Sequence, residues 1–202
     1  MEPKIFNPNE HQDELASKIV VGLERISEVF KVMLWEKAKT AGLSPIQIQL
    51  LIFVAYHKNE LCNVSSLAKE FNVTKPTISD AIKVLVKKDL MIKDHSLADS
   101  RSYAIHLSAK GAQVVKETES FANPMRDNLN TLDNPDLEQL YSTLSKFIYQ
   151  LNKSGLLTVQ RTCFGCSFYQ LKNENHHCNL LEKDLYNKDI RLDCPEYLEP
   201  TN

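Results

Sequence analysis

The sequence predicts a mainly α-helical fold with one small β-hairpin and a cysteine-rich C-terminal extension. That prediction rests on three observations. Apolar residues recur at steps of three and four over 15–33, 78–85 and 137–151, the spacing of one helix face. Glycine is scarce, five in 202 residues, which leaves few sites for the tight turns of a β-rich chain. Four of the five cysteines fall in the last forty residues as Cys163-x2-Cys166-x11-Cys178-x15-Cys194-Pro195, whereas the first 160 hold only Cys62.

A chain of 202 residues that is 43% hydrophobic has room for one substantial core and a small satellite. The longest apolar stretch, 46–56, is interrupted by Gln47 and Gln49 and falls short of the roughly 18 residues a bilayer span needs. The start Met1-Glu2-Pro3-Lys4 lacks the charged end and apolar run of a secretory signal. A cytoplasmic location with no membrane partner is therefore expected, and there reduced thiols favour metal or redox chemistry over structural disulfides.

Leu15, Ile19, Leu23, Ile26, Phe30 and Met33 form one apolar stripe, which predicts a long helix from about Asn9 to Lys39, ended by Gly42. Ser44-Pro45-Ile46-Gln47 reads as a capping box with Pro at the first helical position, opening a second helix that runs to about His57. Leu67, Ala68 and Phe71 mark a short amphipathic helix, and Asn72, which tolerates a left-handed conformation, sits where it must turn. Thr74 then caps a helix whose buried stripe is Ile78, Ile82 and Leu85. This is a helix-turn-helix. Lys75, Thr77, Ser79, Asp80 and Lys83 are left outward near the N-terminus of its second helix, where hydroxyls and long basic side chains suit base edges and phosphates in a major groove.

Residues 90–93 and 102–107 read as two strands, the second alternating Tyr103, Ile105 and Leu107 on one face. The loop between them, 96–101, is then a wing, with Asp99 placed to orient the Arg101 guanidinium toward a minor groove; a weak surface ion pair is the plain alternative. The net charge of −2 is unevenly spread: eight bases against five acids leave +3 over 64–110, so the remainder carries −5. A basic island in an acidic chain is the footprint of a local phosphate-binding surface.

The run Asp99-Ser100-Arg101-Ser102-Tyr103-Ala104-Ile105-His106-Leu107-Ser108-Ala109-Lys110-Gly111, preceded by Leu67-Ala68 and the Thr74 helix, resembles the wing, strand and following helix of winged helix-turn-helix regulators of the MarR (multiple-antibiotic-resistance regulator) family. The resemblance covers roughly 10–152. It implies an obligate homodimer on a palindrome of double-stranded DNA, with two recognition helices in successive major grooves and wings in the flanking minor grooves. It also implies a small-molecule effector, whose identity no residue reveals. The cysteine tail departs from the family, whose chains end with a dimerisation helix.

That helix is visible from Asn134-Pro135-Asp136-Leu137-Glu138 onward, with Leu137, Leu140, Leu144, Phe147 and Leu151 as its stripe. An internal core helix is the plain reading of the stripe, but 10–35 offers a matching surface, and a dimer interface built from 10–35 and 136–152 is expected. The tail, 159–202, carries five bases against seven acids and is no second DNA grip. Cys163, Cys166, Cys178 and Cys194 suit a structural four-sulfur zinc site, with an iron–sulfur cluster and a metal-free thiol switch as alternatives. The Cys194-Pro195 pair resembles the ending of ferredoxin-like runs, while His176 and His177 read as solvated or supporting imidazoles. Cys62 reads as a buried small hydrophobe.

The expected organisation is an N-terminal dimerisation helix (1–40), a winged helix-turn-helix (41–111), C-terminal dimerisation helices (112–157) and a cysteine-rich module (158–202). The chain carries no Gly-rich phosphate loop, His-Glu-x-x-His or Gly-x-Ser-x-Gly, so no enzyme is expected. The expected function is a transcriptional repressor. Two rivals stand beside it: a winged helix used only for protein contacts, and a regulator whose cysteine cluster senses metal or redox state.

Overall fold

The computed structural model describes residues 4–9, 14–94, 103–173 and 175–200. The first helix, α1 (Leu15–Ala41), begins several residues after the expected Asn9, with Glu14 before it forming no side-chain cap. Gly42 ends it at φ 64, a left-handed position that only glycine adopts without strain. In α2 (Pro45–Tyr56) the Gln47 Oε1 accepts the Ser44 N–H at 2.9 Å, so the sequence's capping residues do hold its start. This helix is apolar nearly all round, and Ile48, Leu50 and Leu51 are fully buried at the centre of the domain.

Helix α3 (Val64–Glu70) is capped by the Asn63 side chain, which accepts the Ser66 N–H at 3.0 Å. Asn72 takes φ 50, and α4 (Lys75–Lys87) follows at once. The wing strands are β1 (Met91–Asp94) and β2 (Ala104–Leu107), antiparallel with Met91 opposite Leu107 and Asp94 opposite Ala104. Ser108 caps α5 (Ala109–Thr118) by accepting the Gly111 N–H at 2.9 Å, and its own hydroxyl donates to the Asp89 carbonyl. Leu50, Leu51, Leu67, Ile78, Ile82, Leu85 and Ile105 make one core under these elements. A satellite of Leu34, Ala38 and Ile48 ties the C-terminal half of α1 to it, with Phe30 set edge-on against Phe121.

A short helix α6 (Asn123–Leu129) leads to α7 (Asn134–Lys153). The cap of α7 is Asp133, one residue before the Asn134 that the sequence suggested, and it accepts the Asp136 N–H at 2.9 Å. Beyond it the tail forms a feature the sequence did not announce, an antiparallel meander of β3 (Tyr169–Lys172), β4 (Asn175–Cys178) and β5 (Lys183–Leu185). Its strands are too short and polar to alternate visibly. Thr162, Leu185 and Ile190 are the buried residues of the described tail, so it has no core of its own and leans on α7. There the Tyr141 hydroxyl donates to the Ile190 carbonyl, and the Tyr149 and Phe164 rings meet at 5.7 Å. Among the described residues no single helix is long and apolar enough to cross a membrane.

Candidate functional site

The second helix of the helix-turn-helix, α4, is fixed from beneath and open above. Ile78, Ile82 and Leu85 are fully buried, and Ala81 joins them, which sets the rotation of the helix. Thr74, Lys75, Thr77 and Lys83 are thereby exposed, and Ser79 is half-buried. At the N-terminus the Thr74 Oγ1 accepts the Thr77 N–H at 3.3 Å and lies 2.8 Å from the Thr77 hydroxyl. With the Thr77 N–H taken by this cap and no N–H on Pro76, what the helix start offers an anion is its positive dipole end beside the exposed Lys75. Lys83 bonds Asp80 at 2.8 Å, and that hydrogen bond raises the lysine pKa. Two bases of the basic island serve the scaffold instead: Lys88 donates to the Gly42 carbonyl at 2.7 Å, and Lys110 to the Lys88 carbonyl at 2.9 Å.

At the base of the wing the Lys93 ammonium stands 4.4 Å over the Tyr103 ring. The wing residues Asp99 and Arg101 lie outside the described residues.

The four tail cysteines come together. Cys163, Cys166, Cys178 and Cys194 all line one cavity of about 510 Å³, with Phe168 and Arg191 among its walls. Cys163 and Cys166 sit on one tight turn, in which the Cys166 N–H donates to the Cys163 carbonyl at 3.0 Å and Gly165 packs near the Tyr149 and Tyr197 rings. Cys178 ends β4 and Cys194 follows the last loop. The Arg191 N–H donates to the Cys163 Sγ at 3.2 Å, and its guanidinium reaches the Cys194 Sγ at 3.8 Å. Burial pushes the Cys163 thiol pKa up, the Arg191 N–H opposes this, and the other three thiols add to the rise. All four are free thiols. Among the described residues, no three His, Cys, Asp or Glu side chains are grouped as a set that could hold a metal ion, so the cysteines share a cavity without closing on a common point. His176 and His177 have other partners, the Tyr169 hydroxyl and the Asp184 carboxylate, each at 2.7 Å. Cys62 is buried far from the cluster in sequence and shielded from water, with its thiol pKa pushed up to about 11 by burial and by Glu60.

Residues 41–102, which span both helices of the helix-turn-helix and the first wing strand, match the family model described as MarR family. This segment is similar to a MarR-family winged helix. No curated protein matches the chain in sequence. Among solved structures, the Staphylococcus aureus MepR–DNA complex is 23% identical and superposes with a TM-score of 0.58 over 65% of this chain and 97% of that one. A MarR transcriptional regulator from Methanosarcina mazei Go1 gives 19% identity and 0.58 over 67% of this chain and 96% of that one. S. aureus MarR, solved with salicylate and kanamycin, gives 15% and 0.61 over 70% and 95%. At these identities the likeness is one of fold.

The sequence reading missed what joins the tail to the helix-turn-helix domain. Arg161, two residues before Cys163, forks onto Glu70 at the end of α3 at distances of 2.8 and 3.0 Å. The same guanidinium holds Asp193, the neighbour of Cys194, at 2.6 and 3.3 Å. Asp193 also meets the His57 Nε2 at 2.7 Å, and the His57 ring stacks flat on Phe53 at 3.7 Å. Burial works against the Asp193 carboxylate, but the Arg161 and His57 bonds win and hold its pKa below the ordinary value. Thr158 bonds the Lys69 carbonyl at 2.9 Å, and Lys58 pairs with Glu196 at 3.1 Å. Only the proximity of an Arg and an Asp to two ligand-type cysteines hinted at this in sequence, since partners 91 and 136 residues apart leave no periodic signal.

Proposed function

We propose that the chain is a sequence-specific transcriptional repressor that works in the cytoplasm as a homodimer on a pseudo-palindromic DNA site, with zinc held by Cys163, Cys166, Cys178 and Cys194. The observation that carries the DNA reading is α4: a buried stripe fixes its roll while Thr74, Lys75, Thr77 and Lys83 stand exposed around a capped, electropositive N-terminus. Ser79 borders that face, and the reading adds Arg101, oriented by Asp99, as a minor-groove contact. Lysines supply phosphate affinity there and the hydroxyls reach base edges.

The homodimer rests on uncovered apolar surface. In α1 the side chains of Leu15, Ile19, Ile26, Val29, Val32 and Trp35 are all more than half exposed in the single chain. On α7, Leu140 and Phe147 are exposed, while the other face, with Tyr141, Ser145 and Tyr149, is taken by the tail. A 27-residue helix open on its apolar side needs a covering surface, and a second copy supplies a matching one. A small-molecule effector is part of this reading, in line with the ligands of S. aureus MarR.

Gel-shift titration of the full chain against a random duplex library, repeated from low to high salt, tests the DNA reading. Selection of a two-fold sequence with steep salt dependence is expected. A protein that retards no duplex even at low salt is an interaction module instead.

A further inference from the structure

We infer that the four-cysteine cluster is a zinc-type metal site whose occupancy controls DNA binding through the Arg161 clasp on α3. This rests on the proposed DNA-binding function and adds its regulation. Four free thiols from three separate chain segments converge on one cavity. Soft thiolates in that number are a ligand set for zinc, and here two of them share one tight turn while all four line the same cavity. The segment around them buries too little apolar surface to fold alone, so ion binding would supply its folding energy.

Both jaws of the clasp are attached to this cluster. Arg161 lies two residues before Cys163, with the fully buried Thr162 between them, and Asp193 directly precedes Cys194. The Cys194 N–H donates to the Arg161 carbonyl at 3.0 Å and the Cys163 N–H to the Arg191 carbonyl at 3.1 Å, so the two strands that carry the jaws are themselves laced together. Drawing Cys163 and Cys194 onto one ion fixes the spacing of Arg161 and Asp193. Arg161 in turn grips Glu70, the last residue of α3, two residues before the left-handed Asn72 turn that sets the direction of α4.

Through Tyr141 and Tyr149 the same tail is seated on α7. The clasp therefore fixes the helix-turn-helix relative to a helix of the proposed dimer interface. Two recognition helices must stand about 34 Å apart to enter successive major grooves, so a clasp that sets this geometry sets affinity. Loss of the ion frees the jaws and leaves that spacing undefined.

The test uses full-length protein purified under reducing, oxygen-free conditions and a duplex selected from a random library. Elemental analysis should find one zinc per chain in the wild type, and none in the C163S/C166S double variant. Chelation of zinc should weaken binding of the selected duplex at least five-fold, and added zinc should restore it. The variants R161Q and E70Q should still bind one zinc while their DNA affinity no longer responds to it; E70Q removes one side of the clasp without disturbing the tail, which covers the case in which R161Q fails to fold. Wild type with no bound zinc, or with iron and sulfide in its place, overturns the zinc site. Unchanged or tighter DNA binding after chelation, or a full zinc response in E70Q, overturns the coupling. Failure to select any duplex, with zinc bound, counts against the DNA-binding function and is read separately from the metal content.

Discussion

Replacing Gly111 by Ala is expected to destabilise the protein, although in most helices the same change is favourable by about 0.5–1 kcal/mol. A Cβ at 111 would lie 2.0 Å from the Leu90 carbonyl oxygen, 2.9 Å from its carbon and 3.3 Å from its Cα, all backbone atoms that no rotamer change moves aside. Ordinary van der Waals separation begins near 3.4 Å, so α5 and the α4–β1 turn must separate by roughly 1.4 Å. That separation pulls on two bonds that fasten the start of α5, the Ser108 N–H to the Leu90 carbonyl and the Ser108 hydroxyl to the Asp89 carbonyl. Overpacking costs about 1–3 kcal/mol and each weakened bond up to about 1 kcal/mol, which outweighs the helix gain and leaves a net loss of about 2–4 kcal/mol. For a chain of this size the melting temperature should fall by about 5–15 °C. Denaturant unfolding and calorimetry of G111A measure both. A variant as stable as the wild type, or more so, would refute the close packing of α5 on the turn that ends α4.

Lys75→Ala should weaken binding of a selected duplex and lower the slope of affinity against salt by about one for each phosphate that is no longer neutralised, as read by fluorescence anisotropy. Arg101→Ala should weaken it more than Lys153→Ala, because a guanidinium in a narrow minor groove sits at high negative potential; equal effects would remove the wing from the interface. Leu144→Asp or Ile19→Asp should give aggregated or unfolded chains, at a cost of several kcal/mol, and a well-folded monomer in sedimentation would show that these stripes need no second copy. Cys62 has its pKa raised from 9.0 to about 11, so its stabilising effect is complete below pH 9 and is lost as pH rises toward 11. The loss amounts to roughly 2–3 kcal/mol, and unfolding measured from pH 8 to 11 should show it in the wild type and not in C62A.

What the sequence determined by itself was governed by short spacing. The stripe Ile78, Ile82, Leu85 placed α4 and its roll, and Asn72 placed the turn, because helix periodicity and left-handed tolerance act within a few residues. Thr74, Lys75, Thr77 and Lys83 were exposed for the same reason. The uncovered stripes of α1 and α7 were legible too, though a stripe alone does not name what covers it. Tertiary structure decided what depends on long-range approach. It gave α7 a second face for the tail, folded polar segments into the β3–β5 meander, and spent Lys88 and Lys110 on carbonyls of the scaffold. It also carried Arg161 to Glu70, 91 residues away, where a half-buried ion pair joins the cysteine cluster to the helix-turn-helix. Pairings of that kind are chosen by which surfaces meet once the core has formed, and a charge at one position leaves no trace of its partner in the spacing of its neighbours.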